Sequence, residues 1–65
     1  MSEQTVFVGF GIEVVQREGR FFIRYDAGEI VVDMRENEVS SEEAARAQRS
    51  EQDAYEVLLE CQRRQ

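Results

Sequence analysis

Apolar residues in the first half of the chain recur at every second position, which is the spacing of a β-strand with one buried face. In Thr5 to Gln16 the even-numbered positions from 6 to 14 are all apolar, and Arg20 to Asp26 is a short run rich in aromatic residues. The alternation returns in Glu29 to Glu36. Glycine-containing pairs separate the three runs. The pattern therefore predicts three strands joined by tight turns, an antiparallel meander over residues 5–36.

The pairing of these strands follows from parity if Glu18-Gly19 and Ala27-Gly28 are the tips of two tight hairpins. Glu13 then lies opposite Arg24, whereas a three-residue first loop would place it opposite Ile23. On the apolar face, Phe21, Ile23 and Tyr25 lie opposite Gln16, Val14 and Ile12 on one side and Met34, Val32 and Ile30 on the other. We therefore expect one core cluster that contains Phe10, Ile12, Phe21, Ile23, Tyr25, Ile30, Val32 and Leu58.

Two glycines, Gly9 and Gly11, interrupt the first predicted strand. Both lie at odd positions, on the face opposite the apolar one. Missing side chains there either let the strand bend or let another group approach its backbone. We expect the bend.

The period of the pattern changes after an acidic connector, residues 37–40. Ser40 and Glu43 have the spacing of a capping box, which predicts a helix start. Apolar and small residues then recur on one helical side, namely Ala44, Ala47, Ala54, Leu58 and Cys61. We expect one long helix from about Ser41 to Arg63, within residues 41–64, that covers the sheet. The alanine-rich first half of this helix either packs closely on the sheet or projects into solvent. We expect close packing at Ala47 and Ala54. The predicted fold class is α+β, in a single domain of 65 residues whose first four form a loose terminus.

Composition excludes several kinds of chemistry. The chain has no histidine, and its single Cys61 is predicted to face the core, so neither a histidine-based triad nor an activated thiol is available. No glycine-rich loop joins a strand to a helix, and the carboxylates lack the spacing of a calcium loop. We expect no enzyme, cofactor or metal. The lack of a signal peptide or membrane-spanning run favours the cytoplasm.

The net charge is −6, and it argues against direct binding to nucleic acid or to anionic membranes. Acidic residues run from the connector into the helix start and along the exposed helix side. We call them the acidic band: Glu36, Glu38, Glu42, Glu43, Asp53, Glu56 and Glu60. They are either a solvated surface or a site that docks on a basic surface of a partner protein.

A second candidate surface is the sheet face that the helix leaves uncovered. Its expected bulky apolar residues are Phe7, Val15, Phe22 and Val31, more than a solvated sheet face usually carries. The N-terminal tail could cover them, or they could remain exposed; otherwise they make a homodimer or bind a protein partner. The protein is thus a monomer or a homodimer.

A compact acidic domain of this size, without catalytic residues and with the acidic run Glu36 to Glu43, resembles the small phage-encoded inhibitors of the anti-CRISPR or DNA-mimic kind. That resemblance rests on whole-chain features and not on a motif. It implies binding to a basic surface of a nucleic-acid-handling protein and exclusion of its nucleic acid. Eight arginines depart from the most acidic DNA mimics.

Overall fold

The structure, a computed structural model, describes residues 2–26, 28 and 30–64. These residues form β1 (Gln4–Gly9), β2 (Ile12–Arg17), β3 (Arg20–Asp26), β4 (Met34–Val39), α1 (Ser41–Ala47) and α2 (Glu51–Arg63). The strands make one antiparallel sheet in the order β1-β2-β3-β4. The α+β class is confirmed, but the expected three strands and one long helix are corrected to four strands and two helices. Met1, Ala27 and Glu29, which belong to the predicted terminus, second turn and third strand, lie outside the described residues.

The first predicted strand is in fact a hairpin. Phe10 and Gly11 have φ values of 54° and 76°, so the chain reverses there and β1 pairs antiparallel with β2. A bend at the glycines was expected, and the structure makes it a full turn because two consecutive positive φ values match the twist of a two-residue hairpin. A bulge between Thr5 and Phe7 then shifts β1 by one residue. Because the pairing runs in register from the turn to Phe7, it is Phe7, and not Val6 or Val8, that shares a face with Val14.

The predicted pairing of β2 with β3 is confirmed. Glu18 and Gly19 both have positive φ, 54° and 75°, and form the two-residue turn. Ile23 lies opposite Val14, and Glu13 lies opposite Arg24. The two-residue turn and the alternation of the two runs favour the same register, so the parity of the residue numbers was sufficient to predict which residues of β2 and β3 lie opposite each other.

The predicted register of the last strand is wrong. Tyr25 lies opposite Arg35, Ile23 opposite Asn37 and Phe21 opposite Val39, so the strand starts five residues later than expected and includes residues 37–39 of the predicted connector. The physical reason is a longer loop. The Asp26 carboxylate accepts hydrogen bonds from the amides of Gly28 and Asp33, both at 2.9 Å, and these bonds tie the chain that precedes β4 to the end of β3.

Two caps divide the predicted helix into two. The Ser40 hydroxyl accepts from the Glu43 amide and the Glu43 carboxylate accepts from the Ser40 amide, which confirms the capping box. Ser50 then makes a second cap, with its hydroxyl accepting from the Asp53 amide at 3.1 Å. A straight helix over residues 41–63 would be about 35 Å long, against about 23 Å for a seven-residue strand. The break lets both segments lie on the sheet.

The core lies between the two helices and one sheet face, which we call the helix face. Its buried members are Ile12, Val14, Ile23, Tyr25, Val39, Ala44, Ala47, Ala54, Val57 and Cys61, with Phe7, Phe21 and Leu58 packed at its margin. Close packing of Ala47 and Ala54 is confirmed. Three expected core residues are solvent-exposed instead, Phe10 at 43%, Ile30 at 98% and Val32 at 74%, because they lie in turns and not in strands.

Candidate interaction surfaces

The seven residues of the acidic band do not lie on one surface. Glu36 and Glu38 belong to β4 and, by their pairing with Arg24 and Phe22, point to the outer face of the sheet, away from the helices. The other five lie on the helices: Glu42, Glu43, Asp53, Glu56 and Glu60. The structure therefore divides the band into a sheet group and a helix group.

Three carboxylates of the helix group converge on one guanidinium. Arg46 of α1 lies 3.6 Å from Asp53 and 3.4 Å from Glu60, measured from nitrogen to oxygen, and it also donates to Glu56. The three acids occupy successive turns of α2 and span about 10 Å along its axis. Arg49 adds a longer contact to Asp53, at 3.8 Å. The acids outnumber these arginines, so the cluster keeps an excess of negative charge.

Arg46 itself joins the two helices. Its acidic partners among the described residues all lie on α2. Desolvation by itself would lower the pKa of the guanidinium, but the attraction of Glu56 and Glu60 outweighs it, so that this pKa is raised. The side chains of Glu56 and Glu60 are 40% and 44% exposed, so both keep access to a partner. This arginine is a functional candidate that the sequence reasoning missed, because a helix break was needed to bring it to α2.

The remaining two acids of the helix group differ from each other. Glu43 is held by the cap, and the Ser40 amide, with help from Arg64 at 3.0 Å, lowers the pKa of its carboxyl. Glu42 is exposed and makes no ion pair within the described part of the chain. Glu42 is therefore the freer of the two for an outside contact.

An ion-pair network covers the outer face of the sheet. Arg17 reaches Glu36 at 2.6 Å and Glu3 at 3.0 Å. Arg24 reaches Glu36 at 2.8 Å and Glu13 at 3.8 Å, and also pairs with Glu3. Hydrogen bonds from Arg17 and then Arg24 lower the pKa of the Glu36 carboxyl. Glu36 is thus occupied within the molecule, and Glu3, which was expected to belong to a loose terminus, is tied to the sheet.

Glu38 completes the sheet group. It lies 3.7 Å from Arg20, and both side chains are more than half exposed. Such a pair contributes little to stability and gives way easily to another cation. Of the sheet group, Glu38 is therefore the more accessible residue.

The four apolar residues expected on the outer face do not form one patch. Phe7 lies on the helix face because the two-residue turn at Phe10-Gly11 places it opposite Val14. Val15 is on the outer face but fully buried. Phe22 lies opposite Val15 on the neighbouring strand, and the Arg17 guanidinium lies 4.1 Å from the centroid of the Phe22 ring. Val31 is 74% exposed, in the loop before β4. The outer face is therefore covered by its own arginines, which the sequence pattern did not indicate.

The chain's one cysteine belongs to the core and not to either candidate surface. Cys61 is 2% exposed, and burial raises the pKa of its thiol, which disfavours the nucleophilic thiolate. No group of three or more potential metal ligands occurs in residues 2–26, 28 and 30–64. Among the same residues, neither helix has the length and apolar character that crossing a membrane requires.

Comparison with known proteins adds no relative. No protein-family model matches the chain, and searches of curated proteins and of solved structures return no significant match.

Proposed function

We propose that this protein is a non-enzymatic inhibitor that docks on a basic, nucleic-acid-binding surface of a partner protein and excludes the partner's nucleic acid. The observation that supports it is the convergence of Asp53, Glu56 and Glu60 on Arg46. A basic groove already attracts dense negative charge, so a small acidic domain competes there without any active site.

The helix group is the favoured contact. Three of its carboxylates, Asp53, Glu56 and Glu60, stand on α2, whereas Glu36 pairs with two arginines on the other side of the molecule. Arg46 holds the three acids in a fixed arrangement, which reduces the side-chain entropy lost on binding. Glu42 extends the same layer at the start of α1, and Glu38 is a second, separate contact of the sheet group.

The test uses two charge reversals that change the net charge equally. Glu60→Arg alters the helix group, and Glu18→Arg alters an exposed residue of the β2–β3 turn outside the acidic band. A partner is first recovered from lysate with the tagged protein, and association rates with that purified partner are then measured at about 50 and 300 mM salt. We expect Glu60→Arg to slow association about tenfold at low salt and Glu18→Arg to change it much less.

A competition measurement completes the test. Bound nucleic acid should be displaced from the partner by the parent protein and poorly by Glu60→Arg. Binding that is insensitive to salt and equal for both variants would refute the electrostatic reading, as would a partner whose contact surface is acidic.

A further inference from the structure

The two outer strands of the sheet differ in how their edges are protected. β4 carries charged side chains at Arg35, Glu36 and Glu38, and charges on an edge strand discourage another strand from pairing with it. β1 has the sequence QTVFVG, without a charge, and its Val6 and Val8 are 42% and 71% exposed. Among the described residues, no strand pairs with the outer side of β1. β1 is thus an edge to which an extended chain can add.

The turn at Phe10-Gly11 determines which main-chain groups of β1 are free. In a two-residue turn the flanking residues, here Gly9 and Ile12, are hydrogen-bonded, and bonded and non-bonded pairs then alternate along the two strands. The pair of Val8 with Glu13 is therefore a non-bonded one. As a result the N–H and C=O of Val8 point away from β2, towards the open side of the sheet. The bulge of β1 lies further from the turn and leaves this part of the edge regular.

A groove lies where β1 ends. It has a volume of about 410 Å³ and is lined by Phe10, which follows the strand, and by four residues of α2, namely Glu51, Gln52, Tyr55 and Leu58. A Cβ added to Gly9 would lie 2.9 Å from the ring of Phe7, so that ring lies over Gly9 on the helix face. The centroids of the Phe7 and Phe10 rings are 5.5 Å apart. The strand edge and the groove are therefore neighbours on the helix face.

Glu51 gives this groove a negative charge. Its side chain is exposed and makes no ion pair within the described part of the chain. Tyr55 follows one helical turn later, so a carboxylate and an aromatic ring border the same groove. A guanidinium or ammonium group pairs with a carboxylate and packs on an aromatic ring, while its aliphatic stem packs on apolar side chains such as Leu58. The groove thus has the lining that suits an arginine or lysine side chain.

We propose that β1 binds an extended basic segment of a partner protein, which adds to the sheet as a further strand. Val8 exchanges main-chain hydrogen bonds with one residue of the segment, and the residues on either side of it point to the helix face. The residue opposite Gly9 then lies beside the groove, where an arginine or lysine reaches Glu51. The net charge of −6 opposes a second copy of this chain in that place and favours a basic segment. The proposal goes beyond the inhibitor function and uses residues outside the acidic band.

The probe is a capped peptide of about seven residues in which arginine and valine alternate, titrated into the full chain by calorimetry. Two N-methylated versions of it test the main-chain contact. When the arginines face the groove, methylation of the valine nitrogens removes N–H groups that face β1, whereas methylation of the arginine nitrogens removes N–H groups that face solvent. We expect a Kd of about 100 µM for the parent peptide and for the version methylated at arginine, and binding at least about tenfold weaker for the version methylated at valine. A peptide with glutamate in place of arginine should not bind.

Variants of the protein test the same contacts from the other side. Val8→Pro removes the outward N–H without removing a bond to β2, and Val8→Thr keeps that N–H beside a side chain of similar shape. We expect only Val8→Pro to lose the peptide, and thermal unfolding shows whether both variants fold. Glu51→Gln should weaken binding about tenfold, whereas Glu18→Gln, the same change in the turn at the opposite end of the sheet, should have little effect. At about 150 mM salt Glu60→Arg, which weakens the inhibitor contact, should leave the peptide affinity nearly unchanged, so the two proposals fail separately.

Hydrogen exchange measures the contact directly. The Val8 amide should exchange fast in the free protein and slowly with the peptide bound. If Val8→Pro does not fold, this amide and the two N-methylated peptides still decide the outcome. Equal binding of the two N-methylated peptides, or no binding of the parent peptide at about 1 mM, would overturn the proposal. Self-association of a chain without peptide affinity, abolished by Val8→Pro, would also overturn it, because the edge would then belong to a second copy.

Discussion

Replacing the same residue type at two places gives the sharpest check on the fold. Ile23 is fully buried in the core, whereas Ile30 is 98% exposed, although the sequence pattern assigned both to the core. Ile23→Ala removes buried methyl groups and leaves a cavity, which costs about 2 to 5 kcal/mol. A chain of this length has about 3 to 10 kcal/mol of stability in total. We therefore expect Ile23→Ala to be marginally folded and Ile30→Ala to be as stable as the parent.

The assay is urea unfolding followed by far-ultraviolet circular dichroism. For a domain this small, with a slope near 1 kcal/mol/M, the unfolding midpoint of Ile23→Ala should fall by about 2 M or more. If that variant does not fold at all, Ile23→Val should still lose about 1 kcal/mol. Equal losses at positions 23 and 30 would refute the loop before β4 and restore the register in which Ile30 faces Tyr25.

The remaining predictions concern the ion pairs and the helix break. The pKa of the Glu36 carboxyl is lower in the folded protein than in the unfolded chain, where it is near 4.5. Glu36 therefore stabilises the fold above the unfolded pKa, and this stabilisation is lost as the pH falls through the folded pKa. A Glu36→Gln variant should lack that part of the acid-induced loss of stability. Ser50→Ala removes the cap of α2 and should cost about 1 kcal/mol in thermal unfolding, while Ser41→Ala, at an exposed helical position, should be nearly neutral. Arg46→Ala should change stability little, because its pairs are partly exposed, yet it should speed association with a basic partner; slower association would contradict the role proposed for the helix group.

The middle of the sheet and the first cap could be predicted from the sequence because their causes are local. Glu18-Gly19 supplies the two positive φ values that a two-residue hairpin needs, and parity then fixes the opposition of Ile23 to Val14. The pair Ser40 and Glu43 satisfies its own backbone donors within four residues. Neither feature depends on a distant part of the chain.

The two wrong strand assignments had a common cause. Alternation cannot distinguish one long strand from two strands joined at Phe10-Gly11, because the apolar positions continue through the turn. Phe10 with φ of 54° is also unusual for a bulky residue, so its type gave no turn signal. Likewise Ile30 and Val32 fit the strand pattern. In the structure, however, the Gly28 and Asp33 amides donate hydrogen bonds to the Asp26 carboxylate, and Ile30 and Val32 lie before β4 and not in it.

The candidate surfaces depended most on tertiary structure. The sequence determined how many acids there are and that several share one side of α2, since helical spacing is a local property. The fold decided which of them form ion pairs and with which arginines, because the partners of Glu36 come from other strands and the partner of Glu56 and Glu60 comes from another helix. Ion pairing and burial are set by contacts between residues far apart in the chain, and a pattern along the chain does not contain those distances.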